Sequence, residues 1–450
     1  MFSRAEVVRV FLAFVALSVT APVFAQVEPS ATGDAGGSLD ESEMMTPPPV
    51  SGMPYPSGAG SDERSNYLGA NLTFSPSYID NVLPNSSPVP VGDVTYSILP
   101  NVSFDHSASR QKEQFSYSPS FIFYEPTTSL DTVDHSASAG FQYRFSPRVA
   151  VSAQDSFTRT SNVFDSGYFF SNPISGSQLT PSTTVVAPFA EQMINTLDGV
   201  LGYQFGLNAM IGGGGSYTTF DLPHPTQAEG LYDSHAESGS VFFNRRLSRA
   251  QYLGLQYQYS NVLAFLTAGT IDTQIHSLFP FYTFYFNRAF SFSVTAGIQH
   301  VDNSGTGIPE SASWSPSGTL SLGWQGSRGS LAGSFTRAVT AGGGLLGAYN
   351  SNIVSASAGW KLANTWTTAL TFGYSSINSD TPSAISSFQN GDMLTAGGSI
   401  QHSFGEHFNA NFQYQHLRES YSGIASISAD PDSNREALTI SYQFRRPLGR

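Results

Sequence analysis

Ser403 stands next to His402, with His407 and His416 close behind it. A serine hydroxyl beside an imidazole base is the raw material of nucleophilic hydrolysis, so the cluster invites that reading first. Its surroundings argue otherwise: His402 and His407 flank a tight turn at Gly405, where isolated polar side chains need no catalytic explanation. The run Gly212, Gly213, Gly214, Gly215 lacks the Lys-Ser/Thr that a phosphate loop requires, and reads instead as a slim strand segment that gives room or curvature. No His-Glu-x-x-His spacing occurs, and the absence of cysteine removes thiol and Cys-ligated zinc chemistry. No catalytic, cofactor-binding or metal-binding residue is assigned, an enzyme is not expected, and neither is a nucleic-acid partner.

The elements that would have to position any site are strands. Near the C-terminus Phe408, Ala410, Phe412 and Tyr414 alternate with Asn409, Asn411, Gln413 and Gln415, a period of two. Similar hairpins recur about every forty residues, with tight turns near Arg110, Pro147, Gly206, Leu247, Arg288, Ser327, Ala363 and Gly405. Eight hairpins give sixteen strands; one more before them, residues 67–74, and one after, residues 437–444, give eighteen. Pro76, Pro100 and Pro119 interrupt the pattern before residue 130, and sixteen is the count if that region fails to pair. Each strand offers about 10 to 13 residues, enough at ~3.3 Å per residue and ~40° tilt to cross a ~25 Å apolar band. The opposite strand ends are joined by longer polar connections, such as 302–313 and 418–434. So many long strands, polar on one face and apolar on the other, predict one closed antiparallel transmembrane β-barrel with lipid outside and a polar lumen, rather than a soluble sandwich.

The termini and composition fit that class. Residues 1–25 carry Arg4 and Arg9, an apolar run and Val23-Phe24-Ala25 before Gln26, the pattern of a signal peptide. Residues 26–65 are Pro-, Gly-, Ser- and acid-rich and are expected to form a disordered periplasmic tail, too short for the plug of a TonB-dependent transporter. Residues 66–450 form the barrel. Beyond the leader no apolar stretch is long enough for a membrane-spanning helix, which leaves strands as the way to cross. Charged residues make up 12% and aromatics 13%, a mixture poor in the long charged side chains that solvate a large soluble surface.

Aromatics gather at the tight-turn ends. Trp324, Trp360, Trp366, Phe404 and Phe408 form the expected interfacial girdle. Basic residues other than Arg159, Arg337, Arg418 and Arg435 lie in the same zone or outside the strands, whereas most acids from Asp80 onward lie in or beside the long connections. Charge excluded from an apolar band collects at its rims, which is explanation enough. Asp155 needs a separate account. It shares parity with Val149, Val151, Ala153 and Phe157 and would face lipid in a regular strand, so a bulge that turns it inward is expected.

On these residues the chain resembles bacterial outer-membrane β-barrels of the porin-like kind, over roughly residues 65–450. The final strand, with Tyr442 and Phe444, resembles the aromatic-ended signal that the barrel-insertion machinery reads, although Arg445 to Arg450 follow it as an expected periplasmic extension beyond the strand. In porins the third external loop folds into the lumen. Here that loop, residues 160–195, carries Phe164, Asp165, Tyr168, Phe169, Phe170, Phe189 and Glu191 as the candidate constriction. The resemblance implies outer-membrane lipid and the insertion machinery as partners.

Inward positions are dominated by small or uncharged polar residues: Gly254, Gln256 and Gln258; Thr319, Ser321 and Gly323; Thr367, Thr371 and Ser375; Thr439, Ser441 and Gln443. A neutral polar wall around a lumen too wide for side chains to fill favours passive diffusion of small hydrophilic solutes. A structural or adhesive surface barrel, and an accessory barrel for polysaccharide export, are the alternatives.

Overall fold

The computed structural model describes residues 65–82, 90–161, 164, 191–224, 230–266, 269–287, 289–306, 310–379, 390–422 and 432–447. The expected leader, residues 1–25, and almost all of the expected tail lie outside them. Eighteen strands run β1 Ser65–Ile79, β2 Asp93–Ser107, β3 Gln111–Glu125, β4 Thr132–Ser146, β5 Val149–Thr160, β6 Gln192–Gly206, β7 Ala209–Asp221, β8 Ser234–Ser248 and β9 Gln251–Leu266. The second half comprises β10 Gly269–Tyr285, β11 Phe290–Gly305, β12 Ser311–Gln325, β13 Gly329–Gly342, β14 Leu345–Lys361, β15 Trp366–Ser379, β16 Asn390–Phe404, β17 Phe408–Tyr421 and β18 Asp432–Pro447. Every strand pairs antiparallel with its sequence neighbours, and β1 pairs with β18, closing the sheet into a barrel. Closure leaves no full-length edge strand, which is how a sheet satisfies its backbone in lipid.

The eight tight turns fall where the alternating pattern ends on the sequence, and every strand but β5 and β7 is longer than predicted, up to 17 residues. Connections at the other end are less uniform than expected. The β9–β10 connection occupies only positions 267–268, and Gly343 and Gly344 alone join β13 to β14. The 302–313 and 418–434 loops shrink to 306–310 and 422–431, because their flanking residues continue the ladders. At the C-terminus the strand does not stop at Phe444: Arg445, Arg446 and Pro447 pair with Gly69, Leu68 and Tyr67. The first strand likewise grows to residues 65–79 and takes up Pro76. Pro100 and Pro119 do interrupt the wall, since β2–β3 pairing is absent between Ile98↔Phe121 and Val102↔Tyr117. Proline has no N–H for the ladder. Ser118 Oγ donates to the Pro100 carbonyl at 3.2 Å and bridges that gap.

The faces divide as the period of two requires. Leu201, Leu253, Leu322, Leu370, Phe412 and Ile440 point out and are 37% exposed or more. Asp155 points out with them. Its register partners are Ala139 and Leu197, the latter 50% exposed, and the β4–β5 ladder runs without a shift past it. The expected bulge is therefore absent there; the one irregularity in this ladder lies at Arg144/Ser146, by the turn. A carboxylate halfway along a lipid-facing strand costs less than the ~2–4 kcal/mol of a base at midplane, but it still costs. Asp155→Leu is expected to raise the unfolding free energy by about 1–2 kcal/mol, read as a higher denaturant midpoint in folding titrations into lipid vesicles. An unchanged midpoint would mean that the carboxylate reaches water.

One part of the wall departs from a simple cylinder. The β12–β13 ladder covers only Gly318↔Arg337 to Gln325↔Ser330, so residues 311–317 pair with β11 alone. Pro316 sits within that unpaired stretch. Above Arg337 the β13–β14 hairpin tucks inside the barrel. Val339, on the same strand face as the exposed Leu331 and Phe335, is 5% exposed and packs with Ala348 on the inward residues Ile275 and Val301. Leu346 lies on Ala264 and Ile271, and Gly344 bridges to Tyr232. Two side-chain bonds cross the seam: the Val339 N–H donates to Gln299 Oε1 at 2.7 Å, and Ser315 Oγ donates to Asn350 Oδ1 at 2.6 Å. Each contributes about 1 kcal/mol net, less holding power than a continuous ladder.

Candidate functional site

The lumen wall is built from hydroxyls that bond across neighbouring strands. Ser75 and Thr439 lie 3.0 Å apart, Ser116 and Ser138 2.8 Å, Ser216 and Ser238 2.6 Å, and Ser334 and Ser355 2.7 Å. Small β-branched or hydroxylated residues suit a pleated wall, and their mutual bonds keep the face polar without charge. The residues expected to face inward, from Gly254 to Gln443, all lie on that face by register. On the β3–β6 side a cleft of about 140 Å³ is lined by Lys112, Gln114, Gln142, Gln154 and Asp198, where amides flank a cation and an anion.

Toward the long-loop end the chemistry changes. Inward positions at the tops of the strands carry Ile79, Tyr124, Phe220, Ile377, Leu417 and Tyr421, and these gather into one buried apolar cluster. Leu345 and Tyr349 of the tucked hairpin complete it, 2% and 1% exposed, together with Leu231 from the β7–β8 connection. The Tyr349 hydroxyl donates to the Leu346 carbonyl at 2.6 Å, so its polar atom is satisfied within the hairpin. A polar wall thus gives way to an apolar cluster toward the long-loop end.

Of the candidate constriction residues, Phe164 is fully buried in this cluster. Asp165, Tyr168, Phe169, Phe170 and Phe189 lie outside the described residues. Glu191, at the foot of β6, accepts from Arg159 Nε and sits 3.2 Å from His224 Nε2, tying the base of the loop to a side chain on the outer face. The sequence reading missed the hairpin, which supplies the centre of the mouth. Its signal was present as Ala341, Gly342, Gly343, Gly344, Leu345, Leu346, Gly347 and Ala348, a small and apolar run with no alternation, as a segment buried on both faces requires.

At the other end Trp324, Trp360, Trp366, Phe404 and Phe408 are 36%, 50%, 40%, 57% and 49% exposed on the outer face, with Trp324 and Trp360 stacked at 6.5 Å. Tyr442 pairs with Phe408, and Phe444 with Ala70, on the same face. His402, Ser403, His407 and His416 are each engaged with different neighbours. His402 stacks on Trp366 at 4.3 Å, Ser403 Oγ bonds Asn409 Oδ1 at 2.7 Å, His407 Nδ1 donates to the Gln443 carbonyl at 3.0 Å, and His416 Nδ1 meets Asn434 Oδ1 at 2.9 Å. The glycine run lies in β7, where a Cβ on Gly212 would meet the Leu201 carbonyl at 2.6 Å and the Phe242 ring.

No family model matches the sequence, and no curated protein does. Among solved structures the chain is similar to Pseudomonas aeruginosa OpdK, crystallised with vanillate, at 10% identity and TM-score 0.40 over 84% of this chain and 99% of that one. It is also similar to Pseudomonas aeruginosa OccK2 (OpdF), at 10% identity and TM-score 0.44 over 85% and 98%. A BenF-like porin from Pseudomonas fluorescens Pf-5 gives 12% identity and TM-score 0.43 over 84% and 99%. The fold itself rests on the chain's own geometry. A ladder that closes on itself, with leucine and phenylalanine facing out and hydroxyls facing in, has its two solvents assigned, and the protein is a closed eighteen-strand antiparallel β-barrel of the membrane-spanning kind.

Proposed function

We propose that the protein is a passive channel for small hydrophilic solutes whose bore is set by the apolar mouth. The observation that carries the reading is the contrast along the lumen: hydroxyl and amide groups dominate the lower wall, with Lys112 and Asp198 among them, and the cluster around Leu345, Tyr349 and Phe164 fills the upper end. Hydroxyl and amide groups exchange hydrogen bonds with passing polyols or amides and hold none of them tightly, which suits conduction. The loop of residues 161–191 adds to the constriction through Phe164. Tyr442 and Phe444 serve as the strand that the barrel-insertion machinery reads, and the turn-end aromatics anchor the barrel in lipid. A structural surface barrel needs no polar bore, and a polysaccharide exporter needs a wider mouth than one filled by apolar side chains.

Purified protein is expected to migrate faster unheated than boiled on gels, and to give small, weakly ion-selective conductance steps in planar bilayers, because the mouth rather than the wall limits flow. Stable insertion with no conductance would remove the channel reading and favour the structural barrel.

A further inference from the structure

The unpaired stretch of β12 is hard to reconcile with a plain tube. Gly318, where the β12–β13 ladder begins, lies six residues above the girdle residue Trp324, or ~15 Å at ~3.3 Å per residue and ~40° tilt. The apolar band is ~25 Å tall. The seam between β12 and β13 therefore reaches ~10 Å down into the outer leaflet. Bare strand edges do not persist in hydrocarbon unless they line a cavity or are covered by protein. Here the cover is the tucked hairpin, held by two side-chain bonds and by apolar contacts to Ile275, Val301 and Ile271.

Arg337 marks the lower lip of this seam. It pairs with Gly318 in the last rung of the ladder, shares the outward face of Leu331 and Phe335, and is exposed. Among the described residues its guanidinium has no hydrogen-bond or ion-pair partner. A lone cation on the lipid face is costly and marks a functional position. Behind it, once the hairpin lifts, Ile275 and Val301 would present an apolar path into the lumen.

We propose that the β12–β13 seam is a lateral portal for small amphipathic anions, with the β13–β14 hairpin as its shutter, Arg337 receiving the anionic head and the Ile275–Val301 surface receiving the apolar tail. The portal deepens the channel reading, since it opens into the same lumen. It adds a route from the outer leaflet that an axial pore lacks.

The chain has no cysteine, so an engineered pair is unambiguous. Cells displaying the wild-type barrel are expected to take up radiolabelled laurate and the neutral probe N-phenyl-1-naphthylamine several-fold faster than cells without it. Oxidised Val301→Cys/Val339→Cys, joining two residues of one packed cluster, should return both rates to background, and reductant should restore them. Arg337→Gln should slow laurate roughly tenfold and leave the neutral probe unchanged. Gln299→Leu, which removes the bond to the Val339 N–H, should quicken both and keeps the test alive if the disulfide does not form. Laurate uptake indifferent to the cross-link, to Gln299→Leu or to Arg337→Gln overturns the portal. Planar-bilayer silence of the wild type, with laurate uptake still following the cross-link, would instead sink the axial channel and leave the portal standing.

Discussion

Replacing Leu345 and Tyr349 together by serine should raise single-channel conductance and solute flux in liposome swelling by at least about tenfold, the largest functional change expected of any pair in this barrel. Both side chains are almost fully buried at the centre of the mouth. Removing a buried apolar side chain of this size costs ~2–5 kcal/mol, and two such losses shift a closed-to-open equilibrium by a factor of a hundred or more, at ~1.4 kcal/mol per tenfold. The wall should survive, because serine keeps the backbone bonds that Leu345 and Tyr349 make at the top of the β13–β14 and β14–β15 ladders, and both ladders run on below them. Leu370→Ala is the control. That residue is 60% exposed on the lipid face and should leave conductance at the wild-type value. Equal conductance in the double serine variant and the wild type would show that something other than the apolar cluster sets the bore.

The topology was legible because it is written locally. Each tight turn interrupts a period of two, and the period alone assigns Gln256 to the lumen and Leu255 to lipid. The same rule decided Asp155 against the expected bulge: an unbroken ladder overrode the penalty of a single carboxylate. What was not legible depends on contacts between distant strands. Nothing local announces that Val339 leaves the lipid-facing stripe to lie on Val301, or that Leu345 joins Phe220 and Leu417 at the mouth. The run 341–348 has no period because both its faces are buried, and without a period it looks like a loop. Proline was informative but ambiguous. Pro100 and Pro119 open a gap that the ladder resumes beyond, whereas Pro316 lies in a stretch whose pairing with β13 is never taken up again. Only the position of the hairpin distinguishes the two cases. Of the candidate constriction, Phe164 and Glu191 alone fall among the described residues, and Phe164 is buried in the apolar cluster.

Gly297→Val should prevent the barrel from assembling, the largest structural effect expected of a single substitution. Gly297 lies in β11 opposite the stretch of β10 that contains Pro280, and β10–β11 pairing lapses between Leu278↔Ile298 and Phe281↔Thr295. In that lapse the Leu278 carbonyl leans toward Gly297, and a Cβ there would fall on the carbonyl oxygen and against the Phe279 ring. The oxygen belongs to the backbone of the neighbouring strand, so it cannot swing aside as the end of a side chain would. Overpacking typically costs ~1–3 kcal/mol where side chains can yield, and a clash with backbone lies beyond that range. Relief would require β10 and β11 to part where Pro280 has already removed a donor, exposing backbone groups to lipid at several kcal/mol each. Gly297→Val is therefore expected to give no heat-modifiable band and to accumulate as unfolded chain, while Gly239→Val, at a lipid-facing glycine with open space around it, assembles normally. Normal assembly of the Gly297 variant would mean that β10 and β11 can slide apart without loss, and that the lapse at Pro280 is a compliant joint in the wall rather than a tightly fitted one.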